Sequence, residues 1–446
     1  MRTKVFFATS LMLLLSTVAL VACAPTEEEI IQGAWETAAT QSAGTQAART
    51  SRTYFLEDLN NWNAPNLVGS SLGGSVDQMI YPASADGIPT AFGANPTNGD
   101  IAYVKNNRTD GLSIEVFSPE ERSTVELVPP DAFGTTGVGI MLQYSPDGTH
   151  IALTAATLPT GIAPIDVYSE DTKFSEEQLA EIHYNAYVVN TSDGTMTQIL
   201  GPQEVAFQMV DWNQSSSKVA LNGWTDDNGD GKINMYPDKG TTQFSDSTQI
   251  YTYDVATNTT TQISNAELNY APTYIGDQLF WLNFDRTRNI GIIKLEPGSV
   301  YGTPNVIIGM AASPDNTQVA WIELPMNEDR TAVTGSPILQ VAGTALEDFH
   351  EPRTVAELPD MIVPDAPKWT SDGQSVLIGS ANWLNGMSGD LSQTFGVTLP
   401  GEPTDVPTVL KVDVASGQIT PIYTGNIVNS SNWAGRMSLI ASGVLE

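Results

Sequence analysis

Short runs of alternating apolar and polar residues recur along most of the chain, and each is entered through a similar turn. Tyr144-Ser-Pro-Asp-Gly-Thr-His-Ile151, Ala312-Ser-Pro-Asp-Asn-Thr-Gln-Val319 and Trp369-Thr-Ser-Asp-Gly-Gln-Ser-Val376 each have an apolar anchor, and an alternating strand starts seven residues later. The same offset relates Ala94 to Ile101, Trp212 to Val219 and Trp433 to Ile440, while a shortened copy joins Tyr274 to Leu279. Alternation of period two sends successive side chains to opposite faces of a strand. In Ser145-Pro146-Asp147-Gly148 the Pro pre-sets the second position of a type I turn, Ser bonds back from the first, and Gly ends it. Each copy is therefore predicted as a β-hairpin.

A second hairpin signature follows each first one, clearest at Ala186 to Thr195, Gln249 to Asn258 and Val409 to Gly417, with weaker copies at 112–128, 289–308 and 337–358. Apolar alternation there runs into Asp or Asn, then a Ser/Thr/Gly/Asn turn, then another alternating run. Four short strands per unit describe a propeller blade. The last unit, Trp433 to Gly443, has only a first hairpin, whereas Thr53 to Val68 reads as a second hairpin lacking its first. Joined in one blade, the two ends remove the open edges that a β-rich protein must otherwise protect. The expected fold is all-β: a single β-propeller over 53–446, of seven four-stranded blades, at about 56 residues per blade against the ~40–45 of a minimal WD-type unit.

The Ser-Pro-Asp-Gly-x-x-[Ile/Val]-Ala units at Ser145 and Ser313, and the looser copy at Thr370, resemble the propeller repeats of TolB-like proteins, a family related in repeat style to WD40. The resemblance covers most of residues 53–443 and implies a binding scaffold. TolB itself carries an additional α/β domain ahead of its propeller, for which residues 24–52 leave no room.

Residues 1–22 read as an export signal: Arg2 and Lys4 precede a mostly apolar stretch from Val5 to Val21. Leu20-Val21-Ala22-Cys23 resembles the lipobox of bacterial lipoproteins, which implies diacylglycerol on the sulfur of Cys23 and a mature chain beginning there. The alternative is an ordinary signal peptide with an incidental Cys. Residues 23–52, rich in Ala, Thr, Gln and Glu, read as a flexible tether between the lipid anchor and the body. Composition narrows the setting. The chain carries 19 Lys and Arg against 51 Asp and Glu, a formal net charge of -32, so phosphate backbones and anionic headgroups are repelled and nucleic acid is excluded as an electrostatic partner. One Cys and three His leave no Cys-based metal centre and no disulfide framework. The expected location is the bacterial cell envelope, on the outward face of a membrane.

Hairpin turns are short throughout, so excess length collects where the two hairpins of a blade are joined, at 155–184, 223–248, 323–336 and 379–407. Long connections on rigid strands are where binding residues concentrate, and these carry Tyr168, Phe174, Trp224, Tyr236, Phe244, Trp383 and Phe395. Trp224, Tyr236, Trp383 and Phe395 are the candidates for a binding face; packing of the loops onto the blades is the other use of such aromatics. One insert has a metal-binding pattern. Asp226, Asn228, Asp230 and the carbonyl of Lys232 match the first oxygens of a calcium loop, with Gly at the sharp turn. Position 12 is Pro237 where an EF-hand needs Glu, which leaves Asp238 and Asp246 as sources of the missing carboxylate. The expectation is structural Ca²⁺, and the competing reading is a solvated acidic turn without metal.

Catalytic motifs are weak. Gly69-Ser-Ser-Leu-Gly73 fits G-x-S-x-G but lies in a Gly/Ser-rich stretch without the strand-to-helix turn a nucleophile elbow needs. His150 follows a hairpin turn, His183 ends a short helix expected from the Ser175-Glu-Glu-Gln178 capping box, and His350 lies in a late loop. The expected function is non-enzymatic binding of an envelope protein, peptide or glycan on the long-loop face. The alternative is a glycosidase or lyase using carboxylates near the propeller channel.

Overall fold

The computed structural model describes most of residues 52–424. Outside the described residues are 1–51 and 425–446, the internal stretches 58–65, 72–75, 82–86, 159–174, 204–209, 230–245, 359–365 and 381–407, and several segments of three residues or fewer. All described residues belong to one unit that begins at Ser51.

Six successive four-stranded antiparallel units, the third and fourth joined into one eight-stranded sheet, follow a three-stranded N-terminal sheet. The N-terminal sheet holds β1 (Arg52–Glu57), β2 (Asn66–Ser71) and β3 (Val76–Tyr81). Blade 1 is β4 (Ile88–Ala94), β5 (Ile101–Asn107), β6 (Gly111–Ser118) and β7 (Ser123–Val128). Blade 2 is β8 (Gly137–Tyr144), β9 (His150–Thr157), β10 (His183–Asn190) and β11 (Met196–Gln203). Blade 3 is β12 (Val210–Trp212), β13 (Lys218–Thr225), β14 (Ser247–Asp254) and β15 (Thr259–Gln262). Blade 4 is β16 (Leu268–Ile275), β17 (Gln278–Asp285), β18 (Ile290–Leu295) and β19 (Gly298–Thr303). Blade 5 is β20 (Val306–Ala312), β21 (Gln318–Leu324), β22 (Ile338–Gly343) and β23 (Arg353–Glu357). Blade 6 is β24 (Lys368–Trp369), β25 (Ser375–Ser380), β26 (Thr408–Asp413) and β27 (Ile419–Thr424). First strands of successive blades lie against one another and form the inner ring. The fold is an all-β propeller.

The hairpin spacing read from the sequence sets the register. Ala94 pairs with Ile101, Tyr144 with Ile151, Trp212 with Val219, Tyr274 with Leu279, Ala312 with Val319 and Trp369 with Val376. Every described anchor is therefore the cross-strand partner of the residue that opens the next strand. The N-terminal segment differs from expectation: it supplies a third strand, β3, where only a hairpin was anticipated, because another alternating run, Val76-Asp-Gln-Met-Ile-Tyr81, pairs with β2. Residues 433–443, expected to complete that sheet, lie outside the described residues.

Alternation places apolar residues on both sheet faces, so the core lies between blades rather than inside one. Ala91, Val104 and Ile114 of blade 1 meet Leu142, Tyr144 and Leu153 of blade 2. Ala186 and Val188 meet Trp212, Val219 and Leu221 across the next seam. Phe280, Leu282 and Phe284 of blade 4 meet Met310, Trp321 and Phe349 of blade 5, with the rings of Phe280 and Phe349 stacked at 5.4 Å. Ile322 and Leu339 meet Trp369, Val376 and Ile378. Burying such side chains contributes about 1.5–3 kcal/mol each.

Candidate functional site

At one end of the strands the hairpin turns are tied down. Ser145 Oγ donates to Asp147 Oδ1 at 2.6 Å and accepts from the His150 amide at 3.0 Å. Ser313 and Thr370 repeat this with Asp315 and Asp372, each at 2.6 Å. In Asp147 and Asp372 burial acts to raise the carboxyl pKa, but hydrogen bonds from the turn outweigh it and hold both below the usual value. For Asp315 the Ser313 hydroxyl is the main cause of the lowering.

Neighbouring turns then join hands. The Asn95 side-chain amide donates to the Gly148 carbonyl at 3.5 Å, and the Asp147 amide to Ser216 Oγ at 3.1 Å. Asn213 Nδ2 and the Ser215 amide both donate to Asp277 Oδ1, at 2.8 and 3.1 Å, and the Gly276 amide donates to Asn316 Oδ1 at 2.8 Å. A relay of side-chain and backbone bonds thus runs across the first-hairpin turns of blades 1 to 5.

The opposite end carries the connections between hairpins. Those of blades 1 and 4 are short, whereas β9 ends at Thr157 and β10 begins at His183, β13 ends at Thr225 and β14 begins at Ser247, and β25 ends at Ser380 and β26 begins at Thr408. The strands thus run two to three residues further than expected into both ends of the 155–184 and 223–248 inserts and two residues into the start of the 379–407 insert, whose end lies where expected. The connection of blade 5 is described throughout and is folded on itself: Met326 bridges Val333, and the Asn327 amide donates to the Ala332 carbonyl at 2.9 Å. It leans on blade 4, where Asn289 Nδ2 donates to the Arg330 carbonyl at 2.9 Å and Arg330 donates to the Arg288 carbonyl at 3.1 Å. Glu328 and Asp329 at its tip are exposed.

Several sequence-predicted positions can be placed here. The capping box in the blade 2 insert forms reciprocally: the Gln178 amide donates to Ser175 Oγ at 3.2 Å, and the Ser175 amide to Gln178 Oε1 at 2.9 Å. His183 is not the end of a helix but the first residue of β10, paired with Thr157, since the strand ladder claims its backbone. The root of the acidic insert is drawn together: the Asp227 amide donates to Asp246 Oδ1 at 3.1 Å, and Asp246 is buried. Gly229 takes φ +71° and its amide donates to Asp226 Oδ1 at 2.6 Å, while Gly231, the glycine expected at the sharp turn of a calcium loop, lies outside the described residues. Asn228, Asp230, Lys232, Tyr236 and Asp238 lie outside the described residues, as do Tyr168, Phe174, Phe244, Trp383, Phe395 and Cys23. Trp224 has its backbone in the ladder opposite Thr248. Among the described residues no three acidic, His or Cys side chains converge as a metal site.

The inner ring holds the residues that sequence reading missed. Asp211, one residue before the anchor Trp212, accepts from Gln143 Nε2 of blade 2 through Oδ1 at 3.0 Å and from the Tyr274 amide of blade 4 through Oδ2 at 2.6 Å. Loss of solvent pushes its carboxyl above the ordinary value, against the pull of those two bonds and, more weakly, of the Lys368 ammonium. The indole N–H of Trp212 donates to the Gln143 carbonyl at 3.2 Å and that of Trp369 to the Ala311 carbonyl at 3.0 Å, so an anchor Trp also clips its blade to the preceding one. A signal existed: the residue before the anchor is polar in Gln143, Asp211, Thr273 and Lys368. Asp211 is the one carboxylate on the described inner strands, and both of its oxygens already accept hydrogen bonds.

No family model matches this sequence, and no curated protein is detectably similar to it. Similarity appears among solved structures. TolB from Acinetobacter baumannii is 11% identical, with 86% of this chain and 66% of that chain covered at a TM-score of 0.45. An oligogalacturonate lyase in complex with manganese is 14% identical, with 75% and 84% covered at 0.49. The β-propeller domain of the Trilobed protease from Pyrococcus furiosus, described as having an open velcro topology, is 11% identical, with 85% and 97% covered at 0.48. These likenesses extend to the fold.

Proposed function

We propose that this chain is a lipid-anchored cell-envelope propeller that binds a protein, peptide or glycan through the connections between its hairpins, without catalysis. The observation that carries the reading is the contrast between strand ends. At one end side chains are consumed in a turn-to-turn relay, whereas at the other three blades interrupt their sheets with inserts of about twenty residues or more. The tie between Asp211, Gln143 and Tyr274 adds support. A glycosidase site at the channel needs a pair of available carboxylates, and the described inner strands offer one that is already engaged.

In this reading Cys23 carries the acyl chains, and residues 23–52 tether the propeller to the membrane. Ca²⁺ is held in the blade 3 insert by Asp226, Asn228, Asp230 and the Lys232 carbonyl, with Asp238 or Asp246 completing the set. The gathered root of the insert, with Asp246 against the Asp227 amide, supports that assignment. The test is capture from solubilised envelope membranes with the mature protein in Ca²⁺, followed by a glycan array. A partner lost when Trp383 and Phe395 are replaced by Ala supports the reading. A partner unaffected by these changes, or turnover of an arrayed glycan, overturns it.

A further inference from the structure

The seam between blades 3 and 4 is built differently from the seams on either side. On β13, Val219 and Leu221 face the blade 2 cluster, so alternation turns Asn222 toward blade 4, as it does Thr248 on the paired strand β14. On β16 and β17, Leu268, Leu282 and Phe284 face blade 5, which turns Asn269, Trp281 and Asn283 back toward blade 3. All of these polar residues are inside the protein: Asn222 and Asn283 are 0% exposed, and Thr248 and Asn269 are 1% exposed.

Part of the set is satisfied by protein groups. Trp281 Nε1 donates to Asn269 Oδ1 at 3.0 Å, and Asn283 Nδ2 donates to the same oxygen and to the Leu268 carbonyl, each at 3.2 Å. Among the described residues, however, no partner reaches Asn222 Oδ1, Asn222 Nδ2, Thr248 Oγ1 or Asn283 Oδ1. Buried polar atoms are nearly always bonded, to protein or to ordered water. Leaving such a group unsatisfied costs about 1–3 kcal/mol, so a seam holding four would be strongly disfavoured. The repeat also supplies the dry solution. Three residues beyond the cross-strand partner of the anchor stand Val104 in blade 1 and Ile322 in blade 5, both 0% exposed in apolar clusters, whereas in blade 3 that position is Asn222.

We propose that the seam between blades 3 and 4 is a hydration site, in which internal water bridges Asn222 and Thr248 of one blade to Asn283 of the next. The chemistry of the orphan atoms selects water over a cation. Asn222 Nδ2 is a donor and needs an acceptor, which a metal ion does not provide, whereas water both donates and accepts. Internal waters characteristically make about three bonds to such groups. The site lies on β14, the strand that starts beside Asp246, so it underlies the root of the blade 3 insert.

A substitution of matched shape reads the site by the sign of its effect. If the Thr248 hydroxyl is bonded to water, Thr248→Val in the full-length protein removes that bond and lowers Tm by about 1–2 °C. If the hydroxyl is truly without a partner, the same change removes a buried penalty, so an unchanged or raised Tm overturns the proposal. A high-resolution crystal structure grown in rubidium chloride gives the second measurement. The expected result is density within hydrogen-bonding distance of Asn222 and Asn283 with no anomalous signal. An anomalous peak there, or a seam closed by direct pairing of these side chains, overturns it.

Discussion

The two ends of the strands solve the same problem, how to turn a chain round, with opposite use of side chains. At the relay end a six-residue hairpin loop binds its own Ser or Thr, its own Asp and the adjacent blade, as at Ser145, Asp147 and Ser216. At the other end the described connection of blade 5 is held by its own backbone and by the Asn327 side chain, and it leans on blade 4, leaving Glu328 and Asp329 in solvent. The difference shows where this protein tolerates change. A loop whose polar groups are used by its neighbours specifies architecture, and one that satisfies itself is open to partners.

Perturbations that separate the two ends should rank accordingly. Deleting 433–446, which includes the hairpin expected to complete the N-terminal sheet, should abolish cooperative unfolding of the whole propeller in calorimetry; a transition at the parental Tm would show that the ring closes otherwise. Next is glycine in the two settings. Gly194 has φ +71° in a relay-end turn, and a Cβ there would lie 2.1 Å from the Leu127 carbonyl oxygen of the preceding blade. Gly335 has φ +83° in the blade 5 connection, with no atom within 4 Å of such a Cβ. Gly194→Ala should cost about 3 kcal/mol and Gly335→Ala about 1 kcal/mol, the latter from backbone strain alone. Equal losses in denaturant titrations would remove the distinction.

Asp211 tests the inner ring. Asp211→Ala leaves Gln143 and the Tyr274 amide without an acceptor and should cost about 2 kcal/mol. Asp211→Asn should cost less than about 1 kcal/mol, because the new amide oxygen still accepts from Tyr274 while Gln143 turns its own amide over. Similar losses for the two would mean that charge, not bonding, matters there. Acid acts on the two regions with opposite sign. Asp147, Asp277, Asp315 and Asp372 are held below their ordinary value near 3.8, so the stability they add is present above that pH and is lost as pH falls through their folded values. Asp211 is raised, so its contribution is fullest below 3.8 and declines as pH rises through its folded value. Stability should therefore fall below about pH 4, and less steeply in Asp277→Ala than in the parent, as read by Tm against pH. The last test concerns the insert. Ca²⁺ at a hundredfold excess over Kd should stabilise the domain by about 2.7 kcal/mol, a few degrees in Tm, and Asp226→Ala/Asp230→Ala should remove that increment; identical curves in calcium and in chelator would leave an acidic turn without metal.

Much of the fold was legible because the repeat advertises itself locally. Type I turn chemistry at Ser145, Ser313 and Thr370 and period-two alternation after it fix strand, turn and register with residues close in sequence. The shortened copy at Tyr274 was legible for the same reason, since a two-residue turn at Gly276-Asp277 keeps the anchor opposite Leu279. What could not be read were relations between copies. Nothing near Asp211 announces that Gln143 and the Tyr274 amide will meet it from two other blades, more than sixty residues away on either side. The polar seam was hidden too, because Asn222 and Asn283 look like ordinary solvent-facing positions of alternating strands until blades are stacked on both faces. In the candidate site, the capping box at Ser175 followed from a local rule. The burial of Asp246 beside Asp227 did not, as it depends on how the two strands of blade 3 converge.

A single parallel contact, Thr248 opposite Leu268, joins blades 3 and 4 into one eight-stranded sheet. Elsewhere the described sheets end at their own edges, so a blade is a natural unit of duplication, exchange or excision. Here the boundary between units is written into the backbone hydrogen-bond network itself. A cut or transplant between Gln262 and Leu268 would lose that bridge as well as separate two packed faces, and this pair should open to solvent as one piece.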